Sequence, residues 1–350
     1  MEKFPFSRLT YKFKADISYR TGIIIRTSLT EEVTALLILA PSGDLMNFKL
    51  LGHSLRYQLH LTGHEVDNVL SFQVQVTSPY QVHLCILDTG HTLTYYRFHQ
   101  NRWQKLHAWP GVSPAYRTLL HGEEMHVVLH TNGHNRHYIL SGQQVHSSEI
   151  PGRQLRCTPY RFFLQAEDHP VLILKEIHES TTRFFARSFS VTDRQWLPEQ
   201  FLASVPPDGR KLQCWLWRDV LYFSYFLPQG NSQTLYLLVL DPAQEACQEE
   251  QFPGFSSIAG EPVLTLYDSE PMLLVGEPNV LVCRRSGDRG RAWHTKIEIP
   301  CPWPLRLAPV LNHRQEITPY VAVEGVYNLS FRQPAVLKAE ELLTLAPYPY

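Results

Sequence analysis

Short runs of apolar residues recur along the chain at nearly constant intervals. Successive runs begin 45, 46, 45, 49, 52 and 48 residues apart. β-branched and aromatic residues fill the runs, whereas Gly, Pro, Asn and Asp fill the gaps, which is the composition of strands and turns. The pattern predicts one β-rich unit repeated seven times, with apolar runs at residues 35–40, 80–87, 126–130, 171–174, 220–226, 272–275 and 320–323.

Each unit is predicted to hold four short strands. The sixth unit shows this most clearly, because polar turns separate strand-like segments at 263–267, 272–275, 280–284 and 293–299. Four-stranded units that repeat every ~45–50 residues are typical of a β-propeller, in which radial closure removes exposed sheet edges. We therefore predict an all-β fold, a seven-bladed propeller of four-stranded antiparallel blades, with six or eight blades as alternatives.

The two ends of the chain are predicted to meet in the last blade. After residues 320–323 only 327–331 is strand-like, whereas the N-terminal segment 9–13 alternates apolar and polar residues and can supply the missing strand. Residues 1–332 are thus predicted to form a single propeller domain closed by an N-terminal strand. Residues 333–350 form a C-terminal tail, and we expect a short helix there from the spacing of Val336, Leu337, Leu342 and Leu343.

One segment carries a more specific pattern, with Ser286, Asp288, Gly290 and Trp293 at positions one, three, five and eight. It resembles the Asp-box of the sialidase-like, BNR-repeat β-propellers, with Ala292 where that family has Thr. The resemblance implies a turn between the third and fourth strands of a blade, on the face opposite the family's active site. In such a turn Ser286 and Asp288 are expected to accept backbone N–H groups. The resemblance therefore supports the propeller fold and does not imply a sugar-cleaving activity.

Two further tryptophans, Trp103 and Trp196, follow polar turns near the ends of earlier units. They lie at positions similar to that of Trp293 in the sixth unit. All three are expected to be buried between neighbouring blades.

The composition excludes several classes of protein. The chain has 32 basic and 33 acidic side chains, a formal charge of −1, whereas a nucleic-acid binder or a polybasic membrane binder needs a basic excess. The longest apolar runs have about six residues, and a membrane-spanning helix needs roughly 20. The first residues do not resemble a signal peptide, and the six cysteines are too scattered for a zinc ribbon. We expect reduced thiols and a cytoplasmic location.

Motifs for catalysis or for cofactors are missing from the sequence. His126 and His130 lie four residues apart, on one face of a strand, but the sequence shows no further ligands, so we expect no metal and no cofactor. Acidic pairs such as Glu123–Glu124 recur at equivalent turns, which indicates a role in the turns. The arginine triad and the Tyr/Glu pair of sialidase-like enzymes cannot be located.

We predict a non-enzymatic binding or scaffold module for a partner protein or a polar, partly negative ligand. The alternative is a sialidase-like carbohydrate-active hydrolase or lyase with a pocket over the central channel. Arg117 and Arg161 occupy equivalent positions 44 residues apart, in Pro114-Ala-Tyr-Arg and Pro159-Tyr-Arg. Arginine beside aromatic rings suits an anionic ligand, and binding residues usually lie on loops. The predicted binding residues are Arg117, Arg161, Trp109, His91, His134 and Trp303.

Overall fold

A computed structural model describes most of the chain, and strands dominate it. The described residues are 24–29, 33–39, 45–51, 54–55, 69–78, 81–99, 102–152, 157–178, 180–241, 246–256, 261–278, 280–290, 292–300, 306–328 and 331–340. The chain divides into two compact units. The N-terminal unit comprises Arg26–Pro207 and Leu311–Glu316, and the C-terminal unit comprises Met1–Ile25, Asp208–Val310 and Ile317–Tyr350.

The N-terminal unit consists of successive antiparallel meanders. In β2–β4, β5–β8 and β9–β12 the strands pair in chain order, and in the fourth meander both β16 and β17 pair with β15. Residues Ser28 and Leu29 of β1 pair in parallel with Leu311 and Asn312 of β26 (Arg306–Asn312). The strands are β1 (Ile24–Leu29), β2 (Val33–Leu39), β3 (Leu45–Leu51), β4 (Ser54–Leu55), β5 (Val69–Ser78), β6 (Gln81–Asp88), β7 (Leu93–His99), β8 (Arg102–Trp109), β9 (Arg117–His121), β10 (Glu124–Thr131), β11 (His134–Ser141), β12 (Gln144–Glu149), β13 (Cys157–Leu164), β14 (Pro170–Ile177), β15 (Thr182–Ser190), β16 (Gln195–Trp196) and β17 (Gln200–Val205).

The C-terminal unit repeats the same arrangement, with β18–β21 and β22–β25 as four-stranded sheets and β26–β28 as neighbours in a sheet. The strands are β18 (Arg210–Trp217), β19 (Val220–Gln229), β20 (Ser232–Asp241), β21 (Ala246–Phe255), β22 (Val263–Tyr267), β23 (Glu270–Glu277), β24 (Val280–Gly287), β25 (Ala292–Pro300), β26 (Arg306–Asn312), β27 (Ile317–Asn328) and β28 (Phe331–Lys338). Short 3₁₀ turns lie at Ala166–Asp168 and Asp288–Gly290.

The all-β class and the repeated four-stranded antiparallel sheets are confirmed, and the sheets are propeller-like. Seven blades in one closed ring stays a prediction, and the segment 9–13 that was predicted to close it lies outside the described residues. The expected helix does not include Val336 and Leu337, because both lie in β28, opposite Ala322 and Val321 of β27. Helical conformation begins only after β28, at Ala339 and Glu340. Pairing with β27 supplies backbone hydrogen bonds that override the local helical spacing. Leu342 and Leu343 lie outside the described residues.

Side-chain-to-backbone hydrogen bonds join the first strands of consecutive sheets in the N-terminal unit. Gln73 Nε2 on β5 donates to the Tyr116 carbonyl at 2.7 Å, and Gln75 Nε2 donates to the Thr118 carbonyl of β9 at 3.1 Å. The donor and the acceptor are 43 residues apart in both bonds, close to the sequence repeat. These bonds satisfy polar groups at the sheet boundary and set β5 beside β9.

The segment that resembles an Asp-box lies between the third and fourth strands of its sheet, as expected. Gly290 has φ +87°, and a Cβ atom there would lie 2.6 Å from Tyr222 Cε1, so glycine is required. Trp293 Nε1 donates to the Gly290 carbonyl at 2.7 Å. Ser286 differs from the expectation, because its Oγ donates to the Gly287 carbonyl at 2.9 Å. The turn geometry is thus local, and the family relationship stays a resemblance.

The three tryptophans differ in burial. Trp196 is buried, with 8% of its surface exposed, and packs on His137 of the preceding sheet. Trp103 is half-buried against Phe98 of its own sheet, so burial between blades is wrong for this residue. Trp293 is half-buried against Phe252.

Two further expectations from the sequence concern disulfide bonds and membrane-spanning helices. None of the five described cysteines, Cys85, Cys157, Cys214, Cys247 and Cys283, forms a disulfide. Over the described ranges, no helix has the length and apolar character needed to cross a membrane.

Candidate anion-binding site

Arg117, one of the predicted binding residues, opens β9 and is anchored at the boundary with β13. Its Nε donates to the Tyr160 carbonyl on β13, and its Nη1 donates to the Tyr116 carbonyl. The first bond again spans 43 residues, like the bonds between β5 and β9. Two backbone acceptors therefore hold the guanidinium beside the next sheet.

Tyr160 lies at a break in the pairing of β13 with β14. Pro159 pairs with Leu174 and Arg161 pairs with Ile173, so Tyr160 is an extra residue in the ladder. Such a bulge re-aims the side chain that it contains. The Tyr160 ring packs on Phe184 with the ring centroids 5.3 Å apart.

Two more cations lie close to the Tyr160 ring. Arg161 Cζ is 5.4 Å from the ring centroid, and Lys175 Nζ on β14 is 5.9 Å from it, both within the range of cation–π attraction. With Arg117 bound to the Tyr160 carbonyl, three positive side chains surround one residue. We call Arg117, Tyr160, Arg161 and Lys175 the cationic cluster.

Lys175 is partly buried and lies close enough to Arg117 for the two positive charges to repel each other. Burial lowers the pKa of the Lys175 ammonium from its usual 10.5, and the nearby charge of Arg117 lowers it further. Both causes disfavour the protonated lysine, because burial removes water and Arg117 repels a second positive charge. A bound anion would offset the repulsion between these two positive charges.

The other predicted residues have local roles. His91 lies in the turn between β6 and β7, with its Nδ1 3.2 Å from the Val112 carbonyl oxygen. His134 is exposed and its Nδ1 lies 3.2 Å from Glu149 Oε1. Trp109 is 6% exposed and packs on Tyr138, which is a core position rather than an open aromatic surface. Trp303 lies outside the described residues.

Tyr160 and Lys175 were not among the predicted binding residues. Pro159 inside a strand was an available signal, since proline in a paired strand often marks a bulge. Lys175 directly follows the apolar run 171–174, which gave no sign of its neighbours. Its proximity to Arg117 depends on how two sheets pack, and the distance between two sheets cannot be read from one sequence.

No protein-family model and no curated protein matches the sequence. A solved structure of a prolyl endopeptidase is similar, with a TM-score of 0.59 and 10% identity, over 91% of this chain and 48% of that one. This chain therefore spans about half the length of that endopeptidase. An ulvan lyase of polysaccharide lyase family PL25, bound to -[GlcA(1-4)Rha3S]-, is similar with a TM-score of 0.52 and 9% identity, over 89% of this chain and 90% of that one. These similarities show the fold alone.

Proposed function

We propose that this protein binds an acidic carbohydrate through the cationic cluster. The observation that carries the proposal is the meeting of Arg117, Arg161 and Lys175 around Tyr160. Guanidinium and ammonium groups bind carboxylates and sulfates through charge-assisted hydrogen bonds. An aromatic side chain among them adds apolar surface for the C–H face of a sugar.

The carbohydrate class is supported by the fold similarity to a lyase solved with a ligand that contains a uronate and a sulfated sugar. The charge of that ligand is opposite to the charge of the cationic cluster. Binding of a partner protein by the exposed loops remains a separate prediction.

Calorimetric titration with two matched ligands tests the proposal. One ligand is an oligosaccharide of uronate and sulfated sugar units, and the other is the same chain after its carboxyl groups are reduced and its sulfates removed. We expect the acidic ligand to bind at least ~10-fold more tightly, because a hydrogen bond to a charged group contributes about 1.5–3 kcal/mol. Raising the salt concentration should lower the affinity for the acidic ligand and leave the affinity for the neutral ligand unchanged. Equal affinity for both ligands would rule out charge recognition.

Eliminative cleavage of that carbohydrate is the second candidate function, and the position of Tyr160 favours it. In this reaction the proton on the carbon next to the uronate carboxylate is removed, a double bond forms and the glycosidic oxygen leaves with a proton. Cations near the carboxylate stabilise the negative charge that develops on it, and a phenol can transfer a proton. The cationic cluster holds both kinds of group.

Ultraviolet absorbance of the unsaturated product measures this second activity. We expect wild-type protein to form the product, and Tyr160→Phe to bind the acidic oligosaccharide within about twofold of wild type while its rate falls ~100-fold or more. Arg183→Gln is a control, since Arg183 lies on β15, outside the cluster. If wild type binds the ligand and forms no product, binding alone is the function.

A further inference from the structure

The hairpin of β9 and β10 brings two histidines and a glutamate, residue types that can ligate metals, to one face of the sheet. His121 and Glu124 are opposite one another across the two-residue turn, and His126 lies two residues beyond Glu124. Side chains with this register share a face because a strand alternates with period two. One donor atom from each of the three lies within 4.8 Å of the other two.

A buried nitrogen points to a ligand at this place. The His126 side chain has no exposed surface, and among the described residues its Nε2 has no hydrogen-bond partner. Glu124 Oε2, at 3.9 Å from that nitrogen, is too far away for a hydrogen bond. An unsatisfied buried nitrogen is unfavourable, and an ion bound there would satisfy it.

The second nitrogen of His126 is already engaged. His126 Nδ1 lies 3.0 Å from His137 Nε2. When Nδ1–H donates to His137, Nε2 carries the lone pair that a metal requires. Histidines that bind metals usually donate their other N–H to a hydrogen-bond acceptor, and His137 Nε2 is the acceptor available here. The His137 ring is itself fixed between Phe189 and Trp196, with centroid distances of 4.7 and 5.0 Å.

We infer that His121, Glu124 and His126 bind a divalent transition metal, with Zn²⁺ as the best match. Two imidazole nitrogens and one carboxylate oxygen suit zinc, whereas Mg²⁺ and Ca²⁺ prefer all-oxygen sites. Tetrahedral zinc with bonds of about 2.1 Å places two ligand atoms about 3.4 Å apart. The distance of 3.9 Å from His126 Nε2 to Glu124 Oε2 therefore has to shorten by roughly half an ångström.

His130, the partner that the sequence suggested for His126, is not part of this site. Its Nδ1 lies 2.9 Å from Asn135 Oδ1. The expectation of no metal considered only His126 with His130. The ligands across the hairpin turn become visible only when the register of β9 and β10 is known.

Arg194 competes with the metal for Glu124. Its Nη2 lies 3.6 Å from Glu124 Oε1, and half of the Arg194 side chain is exposed. Positive charges repel, so Arg194 weakens the binding of a cation without contributing a ligand. A variant in which Arg194 is replaced by a neutral residue should therefore bind the metal more tightly than wild type.

The site is separate from the cationic cluster. Arg117 and His121 stand at opposite ends of β9, four residues or about 13 Å apart along the strand. Metal binding therefore does not depend on the carbohydrate proposal, and each can fail alone.

Calorimetric titration of the metal-free full chain with Zn²⁺ tests the inference. We expect one equivalent to bind to wild type, and Mg²⁺ at the same concentration to give no signal. Loss of an outer partner of a metal ligand typically costs 10–100-fold in affinity, so His121→Asn and Glu124→Gln should each cost ~100-fold or more. Arg194→Gln should tighten binding by about three- to tenfold.

His134→Gln is the matched control, because His134 also faces a carboxylate across a hairpin, at 3.2 Å from Glu149. It should bind Zn²⁺ as wild type does. Thermal melts establish that each variant is folded, and His121 and Glu124 are only half-buried, which favours tolerance. Absence of Zn²⁺ binding to wild type, or unchanged binding by folded His121→Asn and Glu124→Gln, would overturn the inference.

Discussion

Replacing Trp196 by alanine is expected to lower the free energy of unfolding by about 3–5 kcal/mol, the usual cost of removing a large buried aromatic side chain. The ring is 8% exposed and packs on Phe189 and His137, with centroid distances of 5.1 and 5.0 Å. Phe189 belongs to the Trp196 sheet, and His137 belongs to the preceding one. The cavity left by alanine would therefore open between two sheets.

Chemical denaturation followed by circular dichroism measures this loss. Leu197→Ala is the control, since its side chain is next in sequence and 42% exposed, and we expect a change within about 0.5 kcal/mol. A loss below about 1 kcal/mol for Trp196→Ala would show that the ring does not join the sheets as described.

Acidification is expected to destabilise the fold through His83, by about 3 kcal/mol between pH 7 and pH 4. Burial, with a smaller contribution from Arg97, lowers the pKa of His83 from 6.5 to about 4. Its Nδ1 is 2.6 Å from the Tyr95 hydroxyl oxygen. Between these two pKa values the unfolded chain binds a proton that the folded chain does not, so stability falls as the pH falls. A shift of one pKa unit corresponds to about 1.4 kcal/mol.

Unfolding free energies of wild type and His83→Gln, measured at intervals from pH 7 to pH 4, isolate this effect. The glutamine amide keeps a group that can hydrogen-bond to Tyr95 and has no proton to gain. We expect the variant to lose less stability than wild type over this interval, by about 3 kcal/mol. Parallel curves for wild type and His83→Gln would contradict a neutral, buried His83.

Local regularities made much of the fold predictable. The alternation and the turn residues around 263–299 predicted the four strands β22–β25, because each strand is short and its turns carry distinctive residues. The prediction of a helix at Val336 and Leu337 was wrong for a physical reason. Val336 and Leu337 have helical spacing, but β27 offers a long edge, and pairing with it decides their structure.

The candidate site was predictable only in part. The equivalence of Arg117 and Arg161 followed from the repeat, and the structure brings both to Tyr160. Lys175 comes from the second strand of its sheet and Arg117 from the neighbouring sheet, so their proximity depends on sheet packing. The proximity of His121 to Glu124 and His126 likewise could be recognised only from the register of the β9–β10 hairpin. Periodicity in the sequence identifies strands, whereas contacts between them need coordinates.

Titration of Lys175→Met with the acidic oligosaccharide, beside Lys211→Met, tests the proposed binding site most directly. Both lysines are partly buried with a lowered pKa, but Arg117 lowers that of Lys175 further, whereas Glu261 raises that of Lys211. Methionine keeps most of the apolar stem and removes the charge. We expect Lys175→Met to weaken binding at least ~10-fold and Lys211→Met to remain within about twofold of wild type. Equal affinities of wild type and both folded variants would contradict an anion-binding site at Arg117, Tyr160, Arg161 and Lys175.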